Sequence, residues 1–178
     1  VPNVIEEYQK AVLRFVNRRA ISASHHTLRV VADPGNGTST LVAPAILRSL
    51  GVKAKFINNK LDGRFPGRPS EPAQANLKAL TKAVIDSGAD MGVAWDGDAD
   101  RVTFVDEKGR WISGDMGVAL SAKWALFLLE KEKKKKKKGS GLRPSAASPG
   151  VSSFSSLSPI VVTTVATSRV VEEAAAAH

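Results

Sequence analysis

Three aspartates at alternate positions, Asp96, Asp98 and Asp100, follow directly on the apolar run Met91 to Trp95, and Arg101 comes next. This run constrains the fold more than any other. Three clustered carboxylates repel one another and resist ionising together, so they cannot sit in a core. An apolar run of five residues that stops at such a cluster reads as a buried strand ending in a functional loop. Alternation in an extended loop turns all three side chains to one side. Hard oxygen ligands grouped in this way suit Mg²⁺ or a similar cation. The adjacent guanidinium suits phosphate. Cation and arginine together point to phosphoryl chemistry.

The rest of the chain supplies a scaffold for such a loop. At 43% hydrophobic, 178 residues suffice for one full domain and part of a second. A helix is expected over 4–20, where Val4, Tyr8, Val12, Phe15 and Val16 fall near helical spacing. Leu28 to Ala32 reads as a buried strand, and Asp33-Pro34-Gly35-Asn36-Gly37 as a sharp turn. A helix over 41–50 follows, capped by Thr38, Ser39 or Thr40 and stopped by Gly51. Strands are expected over 52–57, 90–95 and 101–106, and helices over 73–87 and 115–130. Residues 61–72 form a loop rich in Gly, Pro and Arg. Arg64 and Arg68 in it suit either a cleft border or the solvent.

This order predicts an α/β domain of three layers. Its four-stranded sheet is mainly parallel, and the fourth strand is an antiparallel edge because only a short loop joins it to the third. The acidic loop then lies beyond the carboxyl end of the third strand, where ligands gather in such sheets.

Composition removes several classes of function. With no cysteine, disulfides, zinc–thiolate sites and thiol nucleophiles are excluded. That fits a reducing cytosol, and a cytoplasmic location is expected. No apolar stretch approaches the roughly 20 residues that span a bilayer. The net charge of +9 invites a nucleic-acid reading, but Lys131 and Lys133 to Lys138 carry seven of those charges, and without them +2 remains. A homopolymeric lysine run is ordinarily a solvated linker, and no aromatics are interleaved for base stacking. Residues 139–158, rich in Ser, Gly, Pro and Ala, extend that linker, and 159–178 read as the strand and helix of an incomplete second α/β unit.

Two rival readings of the acidic loop come from spacing. In a calcium hand, Asp96, Asp98, Asp100 and Glu107 would fill positions one, three, five and twelve, but Arg101 stands where that loop needs glycine. In an aspartyl-nucleophile phosphatase, Asp96 would attack and Asp98 would move the proton. Asn36-Gly37-Thr38 matches a glycosylation sequon by chance. His25 and His26 read as exposed loop residues.

Four stretches, in order, resemble the α-D-phosphohexomutases, the phosphoglucomutase/phosphomannomutase group. They are Val30 to Gly37; Asp62-Gly63-Arg64-Phe65-Pro66 with Pro69, Glu71 and Pro72; Gly92 to Arg101; and Ile112 to Asp115. Val161 to Ser168 resembles the first strand and turn of the family's third domain. The resemblance implies that 1–130 correspond to the second of four domains around a cleft and 159–178 to the start of the third. It implies that Asp96, Asp98 and Asp100 hold Mg²⁺ and that Arg101 contacts phosphate. A phosphoserine elsewhere would exchange its phosphoryl group with a sugar phosphate through a bisphosphate. No Ser-His-Asn-Pro loop stands in this chain; Ser24-His25-His26 is followed by Thr27-Leu28. The sugar-recognition and phosphate-binding loops of the third and fourth domains are likewise missing, so the chain is expected to be a piece of the enzyme and inactive alone. A coupled mutase assay on the purified chain, with Mg²⁺ and glucose 1,6-bisphosphate, should show no turnover; turnover would refute the expectation.

Overall fold

A computed structural model describes residues 3–16 and 27–137. The expectations for Ser24, His25 and His26, for the linker over 139–158 and for the unit over 159–178 fall outside the described residues. The chain divides into two compact units, Val1–Ser113 and Gly114–His178.

The first unit is built around β1 (Arg29–Asp33), an RVVAD strand buried at every position after Arg29. Continuous burial is what a central strand covered on both faces requires. β2 (Lys53–Phe56) and β3 (Met91–Trp95) flank it, both parallel, and β4 (Val102–Asp106) and β5 (Trp111–Ile112) add antiparallel, giving the order β2-β1-β3-β4-β5. The mixed sheet with an antiparallel edge is as the sequence implied, with one strand more. The short β5 takes the edge position because its Trp111 indole donates to the Thr103 hydroxyl (2.8 Å), which in turn donates to the Ile112 carbonyl (3.1 Å).

Pleating sorts the core onto two faces. Val31, Ala94 and Val105 pack with Leu77, Leu80 and Val84, the last two on α3 (Lys78–Ser87). On the opposite face Val30, Ala32 and Val93 meet Phe56, Phe104 and Leu47, the last on α2 (Ala43–Ser49). α1 (Val4–Phe15) lies beside α2, and Gln9 reaches the Leu41 carbonyl. Its start is set by Asn3, whose side chain accepts from the Glu6 N–H at 3.3 Å. Val4 and Tyr8 of its apolar stripe stay exposed, and Val12 is half-buried.

Four local expectations are altered. The helix expected over 4–20 stops at Phe15, where Val16 turns extended. The 41–50 helix begins as a 3₁₀ turn over Thr38–Leu41, and none of the expected caps forms: Val42 is the N-cap of α2, with Pro44 in its first turn. The 73–87 helix likewise has a 3₁₀ turn (Gln74–Asn76) before α3. In the second unit, α4 (Gly114–Lys137) carries on past Glu130 into the lysines. Lysine and glutamate are good helix formers, and no glycine stands between Gly117 and Gly139. The Trp124 and Phe127 rings of α4 stack at 5.4 Å. Among the described residues no helix is long and apolar enough to cross a membrane.

The β4–β5 turn is tied by Asp106, whose carboxylate accepts from the Lys108 and Arg110 N–H groups (3.0 and 2.8 Å) and from the Arg110 guanidinium (2.6 Å). The Arg110 N–H in particular, aided by its guanidinium and by the Lys108 N–H, holds the Asp106 carboxyl below the usual carboxylate value against partial desolvation. A depressed folded-state pKa stabilises above the unfolded value, and the benefit disappears as pH falls through the folded one. Asp106→Asn should therefore lower stability at neutral pH, and variant and wild type should converge below about pH 4. Urea denaturation at both pH values checks this.

Candidate metal centre

Because β1 and β3 are parallel and in register (Asp33 opposite Ala94), their carboxyl ends finish at the same edge of the sheet. Asp33 closes one and Asp96 follows the other. Both are buried, which for carboxylates demands partners.

Asp33 is paired with Arg68. Their side chains are 1% and 4% exposed, and Arg68 Nε donates to Asp33 Oδ2 at 2.8 Å. Arg68 also donates to the carbonyls of Pro69 (2.9 Å), Ser70 (3.1 Å), Asp33 (3.3 Å) and Trp95 (2.6 Å). One guanidinium therefore joins the end of β1, the 61–72 loop and the residue before Asp96. The other oxygen of Asp33 accepts from the Gly35 N–H (2.8 Å) and the Asn58 amide (3.0 Å). Gly35 lies at φ +57°, and a Cβ there would stand 2.5 Å from the Arg68 guanidinium, so no larger residue fits. Of the two loop arginines, Arg68 is thus neither a cleft border nor a solvent residue, while Arg64 is exposed and bound to Asp62 at 2.9 Å.

The Asp33–Gly37 turn directs its hydrogen bonds inward. Asn36 N–H donates to the Asn58 carbonyl (2.8 Å), Gly37 N–H to Pro34 (2.9 Å) and Thr38 N–H to Gly97 (2.9 Å). With these donors engaged, the turn does not offer a phosphate loop, in keeping with the tight-turn reading. Asn36 is buried, its amide donating to the Lys60 carbonyl (2.7 Å) and accepting from the Gly67 N–H (3.0 Å), so the folded sequon is out of reach of glycosylation.

The acidic loop leaves β3 beside this turn. Asp96 is 2% exposed, while Asp98 and Asp100 are exposed. One oxygen from each lies within 4.8 Å of the others. Opposite ligands around a small hard cation are about 4–5 Å apart, so the donor set fits one ion. The convergence does not come from extended alternation. The loop is a series of bends, Ala99 takes φ 65°, and Asp96 N–H closes onto the Arg101 carbonyl at 3.2 Å.

Arg101 folds back over the loop. Its N–H and Nε donate to the two oxygens of Asp96 (3.1 and 2.8 Å), and its Nη1 donates to Glu71 at 2.6 Å. Among the described residues its Nη2 makes no hydrogen bond. Burial raises the Asp96 carboxyl, but the Arg101 N–H, the hydrogen bond with Asp100 and the Arg101 guanidinium outweigh it and hold the group below its usual value. Asp100 is pushed up, first by its hydrogen bond to Asp96 and then by the charges of Asp98 and Asp96. A cation among them relieves that repulsion.

Neither rival reading gains from this geometry. The loop joins two antiparallel strands, not the two helices of a calcium hand. The nucleophile of a phosphatase would be Asp96, whose oxygens both accept from Arg101.

The family described as phosphoglucomutase/phosphomannomutase, alpha/beta/alpha domain II, matches residues 6–109. A phosphopentomutase of Thermococcus kodakarensis is 45% identical over 121 residues, covering 67% of this chain and 25% of the relative. A phosphoglucomutase/phosphomannomutase of the same organism is 44% identical over 120 residues, with 67% and 26% covered. A phosphoglucomutase/phosphomannomutase family protein of Burkholderia thailandensis superposes with TM-score 0.56 at 27% identity, covering 69% of this chain and 26% of that one. The chain belongs to the phosphoglucomutase/phosphomannomutase family, residues 6–109 matching that family's domain II. It spans about a quarter of the length of the curated relatives it matches.

Sequence reasoning brought Asp96, Asp98, Asp100 and Arg101 to one loop. It missed Glu71 as the partner of Arg101, and Arg68 as the buried partner of Asp33, 35 positions away. The available signal for the second pair was a carboxylate ending an apolar strand, which needs a cation somewhere. Arg68→Met leaves Asp33 buried and unpaired, and should cost about 3–5 kcal/mol of stability in urea denaturation.

Proposed function

We propose that this chain is the cation-binding domain of a phosphomutase that exchanges a phosphoryl group between the 1- and 6-positions of a sugar phosphate through a phosphoserine and a bisphosphate. Mg²⁺ is the proposed cation, with Asp96, Asp98 and Asp100 as its ligands. The observation that carries the reading is the convergence of the three carboxylates at the carboxyl edge of the sheet, beside Arg101.

When bound, the ion supplies Lewis-acid stabilisation of charge on phosphoryl oxygens. Arg101 complements it. Its Nε is fixed by Asp96 and its Nη1 by Glu71, which leaves Nη2 to donate to a phosphoryl oxygen. A guanidinium held in advance loses little on binding and acts where charge develops. Asp96, already hydrogen-bonded twice by Arg101, is held ionised for the ion.

The sugar phosphate would be the substrate of the complete enzyme, not of this domain by itself. Two relatives named for different sugars match at 45% and 44% identity, so the stretch they share with this chain is a poor place to discriminate sugars. A membrane or nucleic acid is not a proposed partner.

Asp98 is the best probe because it is exposed. Calorimetric titration of the chain with Mg²⁺ should show one saturable site, and Asp98→Ala should weaken it by at least about 10-fold. Stability should stay within about 0.5 kcal/mol of wild type, as for a surface substitution. Unaltered Mg²⁺ binding in the variant would remove the site from the trio.

A further inference from the structure

The backbone on either side of Asp96 is held by residues that bear none of the proposed ligands. Before it, the Trp95 carbonyl accepts from Arg68 Nη2 at 2.6 Å. After it, the Gly97 carbonyl accepts from the Thr38 N–H at 2.9 Å. Beneath it, the Asp33–Gly37 turn comes so close that a Cβ on Gly37 would stand 2.5 Å from the Gly97 carbonyl oxygen and 2.9 Å from that of Asp96. Gly37 itself lies at φ −89°, ψ −170°, a conformation open to any residue. Its lack of a side chain therefore answers to the approach of the acidic loop, not to its own backbone.

The turn is rigid enough to act as a support. Asp33 and Arg68 fix its start, and Asn36 ties it to Lys60 and Gly67. Two of the three proposed ligands, Asp98 and Asp100, are exposed, and the partners that hold Asp100, Asp96 and Arg101 (3.5 Å), belong to the same loop, so the loop's seat sets where their oxygens meet. We propose that Gly37 and Arg68 are positioning residues for the cation: by seating the backbone of residues 95–97 they set the separation of the three carboxylates, and with it the preference of the site for Mg²⁺ over larger cations. This rests on the reading of the trio as a divalent-cation site.

The physical ground for a preference is the difference in ligand demands. Mg²⁺ requires near-ideal octahedral geometry at about 2.0–2.1 Å, whereas Ca²⁺ accepts six to eight ligands at about 2.3–2.6 Å in adaptable arrangements. A loop pushed off its seat penalises the strict ion more than the tolerant one.

The test is calorimetric titration of the whole chain with Mg²⁺ and, separately, Ca²⁺, for wild type, Gly37→Ala and the control Gly63→Ala, whose new methyl would meet nothing within 4 Å. The expected result is a fall of about 10-fold in Mg²⁺ affinity for Gly37→Ala, a smaller fall for Ca²⁺, and no change for Gly63→Ala. If Gly37→Ala does not melt cooperatively, Arg68→Lys decides by the same ratio; it keeps a cation for Asp33 but loses the planar fork that also reaches Trp95. Mg²⁺ affinity within two-fold of wild type, or equal losses for both ions, would overturn the inference and leave the cation site standing. A wild-type chain that binds neither ion would overturn both.

Discussion

The buried pair of Arg68 with Asp33 is the constraint on which the carboxylate edge of this domain depends. Two charges removed from water are favourable only when geometry and further hydrogen bonds are nearly complete. Here Arg68 donates to five acceptors and Asp33 accepts from three groups. Those acceptors belong to separate pieces of chain: the end of β1, the end of β3 and the 61–72 loop. Strand pairing brings β1 and β3 together, but the pair decides how the segments beyond them are arranged.

From that anchor the site follows by short steps. The turn after Asp33 is compact, its glycines admit Arg68 on one side and the acidic loop on the other, and Thr38 bonds the loop from beneath. The loop then bends until Asp96, Asp98 and Asp100 approach one another. Arg101 closes the far side through Asp96 and Glu71. Repulsion among the carboxylates is eased by one arginine, and a cation held there would relieve the rest. The family match places the same stretch in the second domain of phosphoglucomutases and phosphomannomutases.

Much of this was legible in the sequence because it is local. The apolar runs before Asp33 and Asp96, the glycine-rich turn and the helix patterns declare themselves within windows of ten residues, and they yield the parallel core and the loop at its edge. What was illegible is non-local. Arg64 and Arg68 share one loop and one composition, yet the first is exposed and the second is among the most buried charges described. Only the approach of Asp33, brought by strand pairing, distinguishes them. The edge strand β5 is two residues long, too short for any periodicity, and depends on Thr103 across the turn. The bend at Ala99 escaped notice because an alternating pattern looks the same whether the chain is extended or folded. Polylysine reads as linker by charge and as helix by propensity; α4 follows propensity through Lys137.

The central claim is that a divalent ion sits among these three carboxylates, seated on the Asp33–Gly37 turn. Paramagnetic broadening of backbone amide signals by substoichiometric Mn²⁺ tests it most directly, because it reports the location of the ion without turnover. The account predicts that signals of residues 96–101 vanish first, followed by those of Gly37 and Thr38, with α3 and the β4–β5 turn unaffected. Broadening centred on any other group of residues, or spread evenly over the chain, would contradict it.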